Sequence, residues 1–394
     1  MTVRVAFTLA LALLRPLPGC AQNLQGRFYP EKDSYMLGEP VLFNLEIKNP
    51  GPDTTYINAK NPDKCVDTYD FSVTGTGMSC STQWNDYCLS EQLTLAPGDS
   101  THKQWPLNHW FQFEREGKYQ VGVTRHIPIR STRGDFQDFS FTSKFEVRVE
   151  PPDPVRVQSI LQDFEQNLHS SDPEVRHVAL DVLATTAPSY FQSVALKLVR
   201  GDDGFAAIHA AVALGHMNTP ETRAALADLV TAGNETADEG EGYNVVARAR
   251  ALDGLGDSGD TSYLSFVEHY IHDKNWGIQL AAMKATAQLG KAAVVPELEQ
   301  FLSSADATTR RNAAWALDHS PSREAVEALI AALSDKEPEV REHALNSLKV
   351  LTGHRVGDED GVSPEDMQSR WRTWWQANKD KAALNEFNSV CHLK

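Results

Sequence analysis

Asp172-Pro-Glu-Val-Arg176-His-Val-Ala-Leu-Asp-Val-Leu183 returns near the end of the chain as Glu337-Pro-Glu-Val-Arg341-Glu-His-Ala-Leu-Asn-Ser-Leu348. Between them the closing leucine recurs at Leu214, Leu255, Leu289 and Leu317, at intervals of 28 to 41 residues. Inside each unit the apolar residues keep helical spacing. A recurrence in that range means stacked helical repeats, each of which buries its apolar face only against its neighbours. The pattern predicts helix pairs: Val155 to Leu168 with Pro173 to Ala184, Ser189 to Val199 with Gly204 to His216, and Pro220 to Thr231 with Asn244 to Leu255. It continues with Thr261 to His272 and Trp276 to Leu289, Val294 to Leu302 and Ala307 to Leu317, and Arg323 to Leu333 and Pro338 to Leu351. The array occupies 153–377, with a polar tail over 378–394. Trp371-x-x-Trp374-Trp375 reads as an aromatic cap on the last repeat.

Glu150-Pro-Pro-Asp-Pro154 separates this array from a region with a different period, since proline cannot donate to a strand ladder but suits a first helical turn. In Val41-Leu-Phe43-Asn-Leu45-Glu-Ile47-Lys48 the apolar residues alternate, as in a half-buried strand. Further strands are expected at Asp70 to Val73, Gln92 to Leu95, Lys103 to Leu107, Tyr119 to Thr124 and Phe145 to Val149, with turns at Asn49-Pro-Gly-Pro52, Gly75 to Gly77, Ala96-Pro-Gly-Asp99 and Glu116-Gly117. Short strands at that density predict an antiparallel β-sandwich over 24–150.

The chain has 394 residues, 37 of them basic and 53 acidic, with a net charge of -16. That balance opposes phosphate backbones and anionic membrane surfaces, so nucleic acid is excluded as the expected partner. Arg4 followed by the apolar run Val5 to Leu14 has the layout of an export signal over 1–21, too short to span a bilayer. Two readings of its end stay open. Leu17, Gly19 and Cys20 resemble a lipobox, which makes Cys20 a candidate lipidation site, although Pro18 and Arg15 depart from that pattern; Gly19-Cys-Ala21 also passes as an ordinary cleavage site. Export places the protein in the periplasm or cell envelope, lipid-anchored or free, or in the medium.

In such a compartment Cys65, Cys80, Cys88 and Cys391 are disulfide candidates with three connectivities open. Helix layers about 10 Å apart place Cys391 far from the other three. Trp84 and Tyr87, in a loop bounded by Cys80 and Cys88, are candidate binding aromatics, with cover of the sheet edge as the alternative.

Tyr35-x-x-Gly38-Glu-Pro-Val, Asn49 and its turn, Leu95-Ala-Pro-Gly and Gly117-Lys-Tyr119-Gln-Val resemble immunoglobulin-like domains of bacterial envelope proteins, and are similar to the intracellular proteinase inhibitor domain. The Cys…Trp…Cys spacing of true immunoglobulin domains is missing. Ser334-Asp-x-x-Pro-Glu-Val-Arg-x-x-Ala-Leu345, Ala213-Leu-Gly215 and Gln288-Leu-Gly290 resemble HEAT repeats of the short phycobilisome-lyase-like kind. The resemblance implies an α-solenoid in which the second helix of each pair lines the concave, partner-binding face.

On those helices Arg176, Arg248, Arg310 and Arg341 stand seven residues before the closing leucines, His209 and His343 five before. Arginines in register are candidates for carboxylates of a protein partner, or for acceptors in the adjoining turns. HEAT-repeat hydroxylases hold iron through His-Glu pairs, and no His here is followed by Glu, so His209 and His343 read as packing or partner-binding residues and no metal or other cofactor is expected. The acidic stretches Ala237 to Gly242 and Gly357 to Gly361 read as solvated loops. No phosphate loop, nucleophile elbow or His-Glu-x-x-His occurs. The expectation is therefore a non-enzymatic envelope protein, a scaffold or assembly factor that binds a protein on the concave face. The alternatives are an enzyme resembling bilin lyases or HEAT hydroxylases, and a proteinase inhibitor acting through the first domain.

Overall fold

A computed structural model describes residues 24–57, 68–75, 78–80, 93–131, 136–186, 188–232, 242–356 and 362–385. Cys20, Cys65, Trp84, Tyr87, Cys88, Cys391 and both acidic stretches apart from Gly242 lie outside them, as does the side chain of Cys80.

The N-terminal region is strand-rich. Strands β1 (Gln25–Pro30), β3 (Leu42–Lys48) and β8 (Ser100–Pro106) form one sheet. The larger sheet runs β2 (Ser34–Met36), β11 (Phe136–Glu150), β10 (Gly117–Ser131), β4 (Thr55–Ile57) and β7 (Leu93–Leu95), with β5 (Thr68–Thr74) also paired to β10. A small ribbon joins β6 (Met78–Cys80) to β9 (Phe111–Phe113). Alternation puts Phe43, Leu45 and Ile47 of β3 inward, where they share one core with Phe28 of β1, Val121, Val123 and Ile127 of β10 and Val147 of β11. The expected all-antiparallel arrangement is corrected in one place: β2 pairs parallel to β11, with Tyr35 opposite Val149, so the larger sheet is mixed. Tyr35 is fully buried and its hydroxyl donates to the Leu42 carbonyl at 2.8 Å, which ties this short strand of the larger sheet to β3 of the smaller one.

Strand β11 ends at Glu150, and Asp153 caps the first helix by accepting from the Val155 amide. The helices are α1 (Pro154–Leu168), α2 (Pro173–Thr186), α3 (Gln192–Val199), α4 (Gly204–Met217), α5 (Pro220–Ala232), α6 (Tyr243–Asp257) and α7 (Leu264–Glu268). They continue as α8 (Trp276–Gly290), α9 (Val295–Phe301), α10 (Ala307–Ala316), α11 (Arg323–Ala332), α12 (Pro338–Thr352) and α13 (Pro364–Asn378). Side-chain caps start several second helices: Asp203 accepts from Ala206, Asn275 from Gly277, and Asp306 from Thr309. The second helices α2, α4, α6, α8, α10 and α12 pack on one another in that order. Their closing leucines Leu183, Leu214, Leu255, Leu317 and Leu348 are fully buried in one continuous core. Two glycines set the spacing between α4 and α6, since a Cβ on Gly215 would stand 3.0 Å from the Gly254 Cα.

The array ends in α13, whose Trp371 and Trp375 are buried. Asn385 then folds back, its amide donating to the Leu351 carbonyl at 2.7 Å. Strand region and array meet through polar contacts. Arg156 of α1 reaches Glu39 at 2.8 Å, a carboxylate that is 3% exposed and also accepts from the Met36 amide. Gln112 donates to the Thr185 carbonyl at 2.9 Å, and the Tyr190 hydroxyl to the Gly38 carbonyl at 2.7 Å. No helix among the described residues is long and apolar enough to cross a membrane.

Candidate functional site

The second helices stand side by side with their N-terminal ends together. Arg176 of α2 pairs with Asp203, the cap of α4. Gly204, opening α4, approaches Tyr243, which opens α6. Asn312 of α10 donates to the carbonyl of Trp276, which opens α8, and Arg311 pairs with Glu339 of α12 at 3.3 Å.

Along this edge runs a row of exposed apolar groups. Among the described residues the large apolar side chains open to solvent are Val155, Val175, Tyr243, Val246 and Trp276, and all but Val155 lie in the first turn of a second helix. Tyr243 is 62% exposed and Trp276 48%. Rings link the row from helix to helix: His177 stacks on Phe205 at 5.7 Å, Phe205 meets Tyr243 edge-on at 5.5 Å, and the Arg311 guanidinium lies over Trp276 at 5.5 Å. Exposed apolar groups gathered on one edge make it a candidate interaction surface.

The four arginines are held by the array itself. Arg310, 4% exposed, forks onto both oxygens of Asp335 at 2.7 and 3.0 Å and donates to the Ser304 and Ala305 carbonyls. Arg341 donates to the carbonyls of Asp335 and Lys336, Arg248 to that of Val230 at 3.0 Å, and Arg176 pairs with Asp203. Each guanidinium thus binds a turn, loop or helix end beside its own helix, and together they form no open basic stripe.

The histidines separate. His343, on α12, stacks on Trp315 at 4.9 Å; burial, then the charge of Arg311, lowers its pKa from the usual imidazole value. His209, on α4, is buried beside Asp181 and His177 of α2. These three are the group among the described residues that could hold a metal ion. Sequence reading missed His177 and Asp181, although their four-residue spacing places both on one helix face.

A cavity of about 590 Å³ lies where the strand region meets the array, lined by Glu39, Asn44 and Gln104 on one side and Asp163, Phe164 and Val178 on the other.

Residues 295–364 match the family model of HEAT repeats. That segment carries HEAT repeats. Similar solved structures include the Escherichia coli protein YibA, 17% identical over 48% of this chain and 69% of that one, with a TM-score of 0.34. The complex of CpcE and CpcF of phycocyanin lyase from Nostoc sp. PCC7120 is 19% identical over 56% of this chain and 82% of that one, with a TM-score of 0.37. Human deoxyhypusine hydroxylase is 17% identical over 57% of this chain and 98% of that one, with a TM-score of 0.27. No curated protein matches the chain.

Proposed function

We propose that this protein is a binding scaffold of the cell envelope whose HEAT array receives a protein partner along the N-terminal edge of its second helices. The observation that carries this reading is the run of exposed apolar side chains Val175, Tyr243, Val246 and Trp276, bridged by Phe205, on consecutive second helices. Large rings with few rotatable bonds lose little entropy when a partner covers them, which is why Trp and Tyr dominate binding energy at interfaces. The partner that fits presents apolar side chains at the spacing of the helix layers. The arginines that a carboxylate-rich partner would need are committed to acceptors of the array itself, which favours apolar over ionic recognition. Export rests on the layout of Met1 to Ala21, and the reading is of binding rather than catalysis.

The test is copurification from the protein's own cells. Full-length protein should retain a partner at stoichiometric level, and Tyr243→Ala with Trp276→Ala should lose it while keeping the helical circular dichroism of the wild type. Retention of the same partner by the folded double variant would move the surface elsewhere.

A further inference from the structure

His177, Asp181 and His209 bring three donor atoms, one from each side chain, within 4.8 Å of one another at the joint between α2 and α4. His177 and Asp181 are a turn apart on α2, and His209 comes from the next second helix, one repeat along. The surroundings orient the donors. His209 Nδ1 lies 3.0 Å from the Phe205 carbonyl, an oxygen that can only accept, so Nδ1 carries the proton and Nε2 is left to face Asp181. Donation of the second ring nitrogen to a backbone carbonyl is the arrangement that holds a metal-binding imidazole in its tautomer. Phe205 packs edge-on to the same ring at 4.8 Å and fixes its plane.

Both histidine–carboxylate separations are longer than an ordinary hydrogen bond. His209 Nε2 is 3.4 Å from Asp181 Oδ1 and His177 Nε2 is 3.5 Å from Asp181 Oδ2. An N–H···O bond prefers about 2.7–3.2 Å, whereas two donors held about 2.0–2.1 Å from a tetrahedral zinc stand about 3.3 Å apart. Burial adds to the case. The side chains of Asp181 and His209 are 7% and 2% exposed, so these two donors meet away from bulk water. His177 is 40% exposed and supplies the third side.

We infer that His177, Asp181 and His209 form a binding site for one borderline divalent cation, Zn²⁺ in the first instance. Two imidazoles and one carboxylate suit such an ion and not a hard one such as Mg²⁺, which prefers oxygen ligands in octahedral array. Three protein ligands leave a fourth position, and His177 lines a cavity of about 560 Å³ together with Lys103, Glu174, Arg176 and Phe205, through which water or a donor from a partner reaches it. The ion ties α2 to α4 at the end of the array that adjoins the strand region. This inference stands independently of the aromatic edge.

The experiment titrates Zn²⁺ into the metal-stripped full-length chain against a chelating dye, with Co²⁺ as a visible-absorption probe of tetrahedral geometry and Mg²⁺ as the hard-ion comparison. One Zn²⁺ per chain is expected, with a tetrahedral Co²⁺ band and no competition from Mg²⁺. His177→Ala, whose side chain is partly exposed, and the isosteric Asp181→Asn should each weaken binding by at least the roughly 100-fold that loss of an outer-shell partner costs, while His343→Ala leaves it unchanged. Circular dichroism confirms that the variants are folded. Absence of stoichiometric binding to wild type, or tight binding that His177→Ala and Asp181→Asn both leave intact, overturns the site.

Discussion

Arg310→Met should destabilise the last repeats by about 3–5 kcal/mol, the usual cost of removing one partner from a buried ion pair. The guanidinium is almost entirely enclosed, and its loss strips Asp335 of two charge-assisted bonds and the Ser304 and Ala305 carbonyls of a donor. Asp335 keeps the Glu337 amide at 2.9 Å, which places the cost at the lower end of that range. With a urea dependence of about 1–3 kcal/mol per molar, the midpoint of unfolding followed by circular dichroism should fall by roughly 1 M or more. Asp335→Asn should cost a similar amount, and the double variant less than the sum by about 2 kcal/mol, because the second change removes a charge already orphaned. Acid separates the pair from ordinary packing. Burial alone would raise the Asp335 carboxyl, but the hydrogen bonds from Arg310 and the Glu337 amide outweigh it and hold it below the usual range. A carboxyl lowered in the folded state contributes stability that is present above about pH 4 and lost as pH falls through the folded value. Arg310→Met should therefore flatten the acid limb of the stability profile. A change within about 0.5 kcal/mol of wild type, the level of an exposed pair, with additive single variants, would show that the pair does not hold the last repeats.

Trp371→Ala removes a fully buried ring from the capping helix and should cost about 3–5 kcal/mol, read as early loss of the C-terminal repeats in hydrogen exchange. Gly256→Val forces a Cβ to 2.7 Å from the Ala285 backbone and should loosen the α6–α8 contact by about 1–3 kcal/mol, read by urea unfolding. His343 has a lowered pKa in the folded protein, so its contribution is present above about pH 6.5 and lost as pH falls toward the folded value; His343→Gln should reduce the drop in melting temperature below that pH. Glu39→Ala leaves Arg156 and the Met36 amide without their buried acceptor, and faster proteolysis at the junction of strand region and array is the expected readout.

The helical half was legible because each signal was local. Gly204, Trp276, Ala307 and Arg323 open helices where the periodicity begins, and the caps before them are sequence features. Two first helices are shorter than their patterns: Ser189 to Phe191 and Thr261 to Tyr263 form leading 3₁₀ turns before α3 and α7. The strand half was less legible. Strands β10 and β11 run 15 residues each, well beyond the expected Tyr119 to Thr124 and Phe145 to Val149. Pro128 is tolerated because it falls between the stretch of β10 paired to β5, ending at His126, and the stretch paired to β4, starting at Ile129. The parallel strand Ser34–Met36 is too short to show a period. The candidate metal group depends on the register of α2 against α4, and the aromatic edge on which first-turn residues stay exposed; neither is a property of one segment.

The most direct measurement places a photo-crosslinking residue at position 276, on the exposed edge, or at position 197, exposed on the first helix α3, in the full-length protein in its own cells. A discrete protein adduct is expected from position 276 and none from position 197. Adducts from position 197 alone, or none from position 276, would contradict recognition by the second-helix edge.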